Sequence, residues 1–301
     1  MYSFILKGFK LMINWLRSFF LTLSTILVFN AKASIHPMET THLKSQGGSG
    51  VASILVEETA FLNPAPIIFF NTSTVFYQHD SLSISDTNGG NYPKKKANAF
   101  VLAQGEPNFG GTLSFYDQTE DQYRRKSMAF SLAAPVGKVS SFGISVRRNQ
   151  DDNQLLNTSK KYYQTVLGVS HIISENTTLG IVFYDPFKSY AKETKAILGL
   201  QQNIATYISG NFDVGANYDA DELSKTLLLR GGIQVKVLDD FYLRVGGFND
   251  KARIEKGESF GIAWIQPKLA FEFAIKTTKN NSLSYEIKNR ETSFSISMRG
   301  F

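Results

Sequence analysis

Residues 269–276 read LAFEFAIK. Leu269, Phe271, Phe273 and Ile275 alternate with Ala270, Glu272, Ala274 and Lys276. In an extended chain successive side chains point to opposite faces, so this segment has one wide greasy face and one small or charged face. The pattern recurs. Phe241, Leu243 and Val245 alternate with Tyr242, Arg244 and Gly246; Leu227, Leu229, Ile233 and Val235 with Arg230, Gly232, Gln234 and Lys236. Phe260, Ile262 and Trp264 alternate with Gly261 and Ala263, and Phe142, Ile144 and Val146 with Gly143, Ser145 and Arg147. The chain is therefore all-β.

A soluble sandwich alternates in the same way, with its polar face in water. A membrane barrel puts that face in the lumen and joins its strands by short periplasmic turns and longer outer loops. The connections here have that asymmetry. Short ones are read at 105–108, 135–138, 174–176, 209–211, 238–240 and 266–267. Longer polar ones are read at 79–96, 117–126, 149–161, 185–194, 219–225, 249–257 and 277–290. Six and seven connections join fourteen strands, an even number that leaves both barrel ends in the periplasm. Twelve also fits, because strand boundaries read from sequence carry an error of about 2–4 residues. Gly168, Gly199, Gly232 and Gly261 recur along successive hairpins, which reads as a meander.

The first 33 residues read as an address. Lys7, Lys10 and Arg17 precede an apolar run, Phe19 to Phe29, and Ala31-Lys32-Ala33 supplies small residues for cleavage after Ala33. Met12 is an alternative start. The run is shorter than the ~20 residues of a spanning helix. The formal charge is +6, from 32 Lys plus Arg against 26 Asp plus Glu. Residues 1–33 hold four of the bases and no acid, so the remainder has 28 bases against 26 acids and no electrostatic footprint for nucleic acid. No cysteine is present, which excludes disulfides, a thiol nucleophile and a Cys-ligated metal.

At the other end, Phe294, Ile296 and Met298 share a face before the terminal Phe301. Such an ending is similar to the C-terminal strand that the barrel-assembly machinery recognises in outer-membrane proteins. Phe301 falls out of phase by simple counting, and a bulge at Gly300 would restore it.

Residues 34–66 do not alternate. Gly47-Gly48-Ser49-Gly50-Val51-Ala52, then Glu57-Glu58, then Phe61-Leu62-Asn63-Pro64-Ala65, resembles the N-terminal motif of FadL-type, TodX-like outer-membrane transporters. The acidic pair lies nearer Asn63-Pro64-Ala65 than in many members, and Pro66 stands where the family has Gly. The resemblance implies a signal peptide (1–33), a plug or hatch (34–66) and an outer-membrane β-barrel (67–301) of a Gram-negative cell. It also implies passive uptake of small hydrophobic molecules, fatty-acid-like or aromatic, without cofactor or metal. Ile54, Leu55 and Phe61 are the candidate greasy lining. A non-transporting binding or scaffold barrel is the alternative.

Arg147, Arg230, Lys236, Arg244, Glu272 and Lys276 fall on inward faces, because Arg or Lys facing mid-depth lipid costs about 2–4 kcal/mol. The basic members of this set are candidate partners for Glu57 and Glu58. Gly110-Gly111 is a candidate weak point in the third strand. Catalytic readings are poor. Ser170 and His171 are adjacent in a strand and face opposite sides. His79-Asp80 with Asp151-Asp152 only faintly resembles the His-Asp and carboxylates of omptin proteases. The sequons at Asn71, Asn157 and Asn176 carry no meaning in a bacterial outer membrane.

Overall fold

The computed structural model describes residues 36–85, 95–120, 122–189, 193–280 and 287–300. The proposed leader, its cleavage site at Ala33 and the terminal Phe301 lie outside these residues.

The alternating segments become fourteen antiparallel strands. They are β1 (Thr72–Ser85), β2 (Lys95–Gly105), β3 (Gly110–Glu120), β4 (Tyr123–Pro135), β5 (Ser140–Asn153), β6 (Thr158–Ser174) and β7 (Thr177–Tyr184). Then follow β8 (Lys195–Ile204), β9 (Ile208–Ala216), β10 (Leu228–Lys236), β11 (Phe241–Asp250), β12 (Glu255–Ile265), β13 (Leu269–Asn280) and β14 (Ile287–Arg299). Each pairs with its chain neighbours, and β1 pairs with β14 from Thr74↔Arg299 upward, so the sheet closes without an edge.

Burial separates barrel from sandwich. Phe100, Phe115, Phe130, Phe142, Phe212, Phe260 and Phe294 are exposed, while Ser114, Ser127, Ser145, Ser170 and Ser295 are buried. A sheet that shows its aromatics outside and hides its hydroxyls inside is solvated by lipid. The molecule is a transmembrane β-barrel of the outer-membrane type.

The short connections are 106–109, 136–139, 175–176, 205–207, 237–240 and 266–268. The predicted turn at 209–211 is corrected to 205–207; Ser209, Gly210 and Asn211 are inside β9. The loop at 185–194 is as expected, the one read at 219–225 widens to 217–227, and the others are shorter than expected. The stretch read as a loop at 117–126 is two strands joined at 121–122, and β5 and β6 extend to Asn153 and from Thr158. Polar outer strand ends resemble loops in composition, which is why the sequence underestimates strand length there. Gly110-Gly111 is no weak point in pairing: β3 runs in unbroken register with β2 and β4. The irregularity is between β6 and β7, at Ile172/Ser174. Gly300 has φ +85°, and its N–H bonds the Ser73 carbonyl at 3.0 Å.

Candidate functional site

Residues 37–70 form short helical turns packed against inward-facing side chains of the strands. Helix α1 (Thr41–Ser45) begins at Thr40, whose hydroxyl accepts from the Leu43 N–H at 3.1 Å. The chain then reverses through Gly47 (φ +69°) and Gly48 (φ +83°), which only glycine adopts without strain. Helix α2 (Glu58–Phe61) follows, and a 3-10 turn spans Ala65–Phe69. Asn63 binds these pieces together: its amide donates to the carbonyls of Val51 (2.8 Å) and Val169 (3.2 Å), and its Oδ1 accepts from Ala65 N–H (3.1 Å).

The wall is shaped to receive this segment by a belt of inward glycines. A Cβ on Gly143 would stand 2.6 Å from Ala65 N, and one on Gly199 would stand 2.7 Å from Val51 Cβ. At Gly168, Gly180, Gly232, Gly246 and Gly261 it would come closer still, to Asn63, Val51, Gln46, Gln46 again and Ser45 respectively. The belt runs across the sheet through the register pairs Gly143↔Gly168, Gly180↔Gly199 and Gly232↔Gly246. The glycine recurrence in the sequence thus marks the places where the plug backbone touches the wall. On the plug side, Gly47 meets Gly247 in the same way, at 2.5 Å.

Charge completes the seating. Lys44 lies 2.6 Å from Asp80 and 2.7 Å from Glu291, with Lys95 3.6 Å from Glu291. Burial alone would lower the Lys44 pKa, but the two carboxylates raise it above the usual lysine value. Glu39 faces Lys276 (2.6 Å) and Arg230 (3.5 Å). Burial would raise its pKa, yet these cations hold it at about 2. Asp213 accepts from the N–H groups of Gly50 (2.9 Å) and Val51 (3.2 Å), and Arg147 donates to the Phe61 carbonyl (2.8 Å).

The acidic pair is held differently from the expectation. Glu57 pairs with Arg299 at 3.1 Å, and Glu58 accepts from the Thr40 hydroxyl at 2.7 Å. Arg299 was not among the charges singled out in the sequence. Arg244 instead pairs with Glu272 at 2.9 Å, and His42 lies 4.0 Å from Glu272. Lys236, at the periplasmic end of β10, forms no ion pair among the described residues. Burial raises the Glu58 carboxyl well above its ordinary range, with Glu57 and Glu272 adding to the effect. Burial lowers His42, and Arg244 and Arg299 push it the same way.

Two further environments flank the plug. A cavity of about 220 Å³ toward the periplasmic end is lined by Ile54, Leu55, Glu57, Glu58, Arg244 and Arg299, among others, so Ile54 and Leu55 supply part of its apolar surface beside charged groups. Phe61 lies elsewhere. Its ring meets Tyr116 edge-on at 6.2 Å, within an apolar cluster. That cluster joins Met38, Val56, Ile67 and Ile68 of the plug to Phe76 of β1, Ala97, Ala99, Val101 and Ala103 of β2, and Ala133 of β4. Sequence reading missed the wall half of it. The signal was Lys95–Gly105, where small apolar residues alternate with large ones, so that β2 is greasy on both faces.

Toward the outer end, Arg125 is fully buried, with Nε and Nη2 each 2.7 Å from Asp151 and Nη1 2.8 Å from Glu193 of the 185–194 loop. Asp80 and Asp151 thus serve structural pairs. His79 faces outward and contacts Asn98 at 2.9 Å. Ser170 is buried, while His171 is on the outer face, 2.7 Å from Ser140. Among the described residues no group of three or more His, Asp or Glu could hold a metal ion.

No family model and no curated protein matches the sequence. Solved structures do match the architecture. The CymD monoaromatic hydrocarbon channel superposes with a TM-score of 0.71 at 12% identity, covering 86% of this chain and 96% of its own. The toluene transporters TbuX of Ralstonia pickettii and TodX of P. putida give 0.66 and 0.60, each at 11% identity, covering 87% of this chain and 98% of their own. The chain has their fold. At these identities the likeness resides in the path of the backbone.

Proposed function

We propose that the barrel mediates passive passage of small hydrophobic molecules, aromatic or fatty-acid-like, across the outer membrane of a Gram-negative cell, with residues 34–66, described from 36 onward, as the hatch. The observation that carries this reading is the apolar arc Phe76, Ala97, Ala99, Val101, Ala103 and Tyr116 on the lumen face of β1–β3, facing Val56, Phe61 and Ile67 of the plug. Most lumen charges are paired between the plug and β1, β13 and β14 or along β10 and β11, while Arg147 borders the arc at the Phe61 carbonyl and Arg125 with Asp151 and Glu193 stands toward its outer end, so a greasy route and a charged anchor coexist in one barrel. The monoaromatic channel and toluene transporters with the same fold support the solute class. No bond is made or broken in this reading.

The charged pairs that fix the plug favour a second reading, a non-transporting scaffold or binding barrel. Uptake of radiolabelled toluene or oleate by intact cells expressing the protein separates the two. Val101→Trp fills the arc without adding charge. Transport requires that expression raise uptake several-fold and that the Trp variant abolish the gain. Equal uptake with and without the protein favours the scaffold.

A further inference from the structure

The outward face of β3–β6 changes character in rows, and the register gives each row. Leu113, Phe130 and Val146 are cross-strand neighbours in an apolar row with Thr165. The next row toward the outer end is Phe115, Met128, Arg148 and Tyr163, then Asp117, Lys126, Gln150 and Lys161, then Thr119, Arg124, Asp152 and Ser159. Met128, Phe130, Val146 and Tyr163 are exposed, so this face is turned to lipid. An outward Arg or Lys costs roughly 2–4 kcal/mol at mid-membrane but only about 0–1 kcal/mol at the interface, and Tyr marks that level. The upper rows therefore stand among lipid headgroups.

Four cations occupy these rows with two acids, which leaves a net excess of two positive charges. Asp117 accepts from Arg124 Nε at 2.8 Å, and Asp152 from Gln150 Nε2 at 3.0 Å. Lys126 and Lys161 flank Gln150 on either side, and Arg148 stands two residues below it on β5. With strands about 4.8 Å apart, Lys126 and Lys161 are about 10 Å apart, with Arg148 beneath the gap. Asp117, opposite Lys126, and Asp152, two residues beyond Gln150 on β5, offset part of this charge, and the excess of two cations that remains attracts a further anion. At this depth, beside lipid chains, the available anion is the phosphate of a lipid headgroup.

We propose that Lys126, Arg148 and Lys161 form a seat for the phosphate of an anionic lipid in the outer leaflet, its acyl chains lying against Met128, Phe130 and Val146. Arg148 supplies planar donors and the lysines supply point charge. The seat is on the outside of the wall, and transport through the lumen does not require it.

The test uses the purified protein in a mild non-ionic detergent, titrated with diphosphoryl lipid A and with dephosphorylated lipid A. Wild type binds the phosphorylated form about a hundredfold more tightly, three basic groups at roughly fivefold each. Lys126→Gln/Arg148→Gln/Lys161→Gln loses about a hundredfold toward it, since each basic group at an anionic lipid surface contributes roughly a factor of five, and is unchanged toward the phosphate-free form. Lys126→Arg/Lys161→Arg keeps wild-type binding. If the triple variant fails to fold, Lys126→Gln and Lys161→Gln singly each lose about fivefold. Equal binding of the two lipids by wild type overturns the proposal, as does full binding by the neutral variants. Displacement by millimolar inorganic phosphate alone overturns the lipid assignment in favour of a free anion.

Discussion

Replacing Lys44 with Met unlatches the plug and leaves the barrel standing. Lys44 is the single plug cation between two buried wall carboxylates, Asp80 and Glu291. Removing one partner of a buried pair costs about 3–5 kcal/mol, because the other charge is left uncompensated. Glu291 keeps Lys95 at 3.6 Å, and Asp80 keeps the Gln78 amide at 2.9 Å, which places the cost near the lower end, about 3 kcal/mol. At 1.4 kcal/mol per factor of ten, the plug opens on the order of a hundredfold more often. Hydrogen exchange of the plug amides, read by mass spectrometry on the folded barrel in detergent, measures that population directly. Protection of residues 40–52 should fall about a hundredfold in Lys44→Met while β5 and β6 keep theirs. Adding Asp80→Asn should return part of the loss by removing the stranded charge. Unchanged plug protection in Lys44→Met, or equal loss in strands and plug, refutes the latch.

Other expectations follow from the same geometry. Burial favours the neutral form of Glu58, so its contribution is full below about pH 4.5, the ordinary glutamate value, and is lost as pH rises through its elevated folded value. Above about pH 6.5, where His42 is neutral in either state, plug protection should decline with rising pH in wild type and be flat in Glu58→Gln, as exchange rates corrected for intrinsic pH dependence will report. Gly246→Ala places a methyl into the backbone at Gln46–Gly47 and should expose that turn to protease while the barrel still runs as a folded band in gels. Asn63→Ala removes three hydrogen bonds at the plug's second contact and should cost about 1–3 kcal/mol in plug protection. Arg125→Met leaves Asp151 and Glu193 facing each other, and exchange should rise at Glu193–Thr194 with little change at the plug.

The barrel was legible because its alternation is long, repeated and tied to hairpin turns. LAFEFAIK and its fellows fix which side chains face lipid, and the inward phase assigned to Arg147, Arg230, Arg244, Glu272 and Lys276 follows from that alone. Pairing was less legible, because it depends on distances between strands far apart in the chain. Arg299 reaches Glu57 only because β14 closes on β1, and Arg125 meets Glu193 only because a loop folds inward. The apolar arc was hidden for another reason. Ala97, Ala99 and Ala103 are too small to stand out beside Phe100 and Leu102, yet on a lumen face smallness leaves room for the plug.

The glycine belt works as a keyway. Where a backbone lies closer to the wall than a methyl group allows, turning the plug by one strand would drive it into side chains such as Asn211 or Ser259, and sliding it along the axis meets the same obstruction. The plug therefore has one angular setting, reached as the sheet closes around it. The keyed contacts are at residues 45–52 and 63–65. Residues 53–62 bridge them without touching the belt, and they carry Val56, Ala60 and Phe61 against the greasy arc. On the passage proposed above, a solute displaces this span against the Glu57–Arg299 pair and the Arg147 bond to the Phe61 carbonyl, with both of its ends held in register.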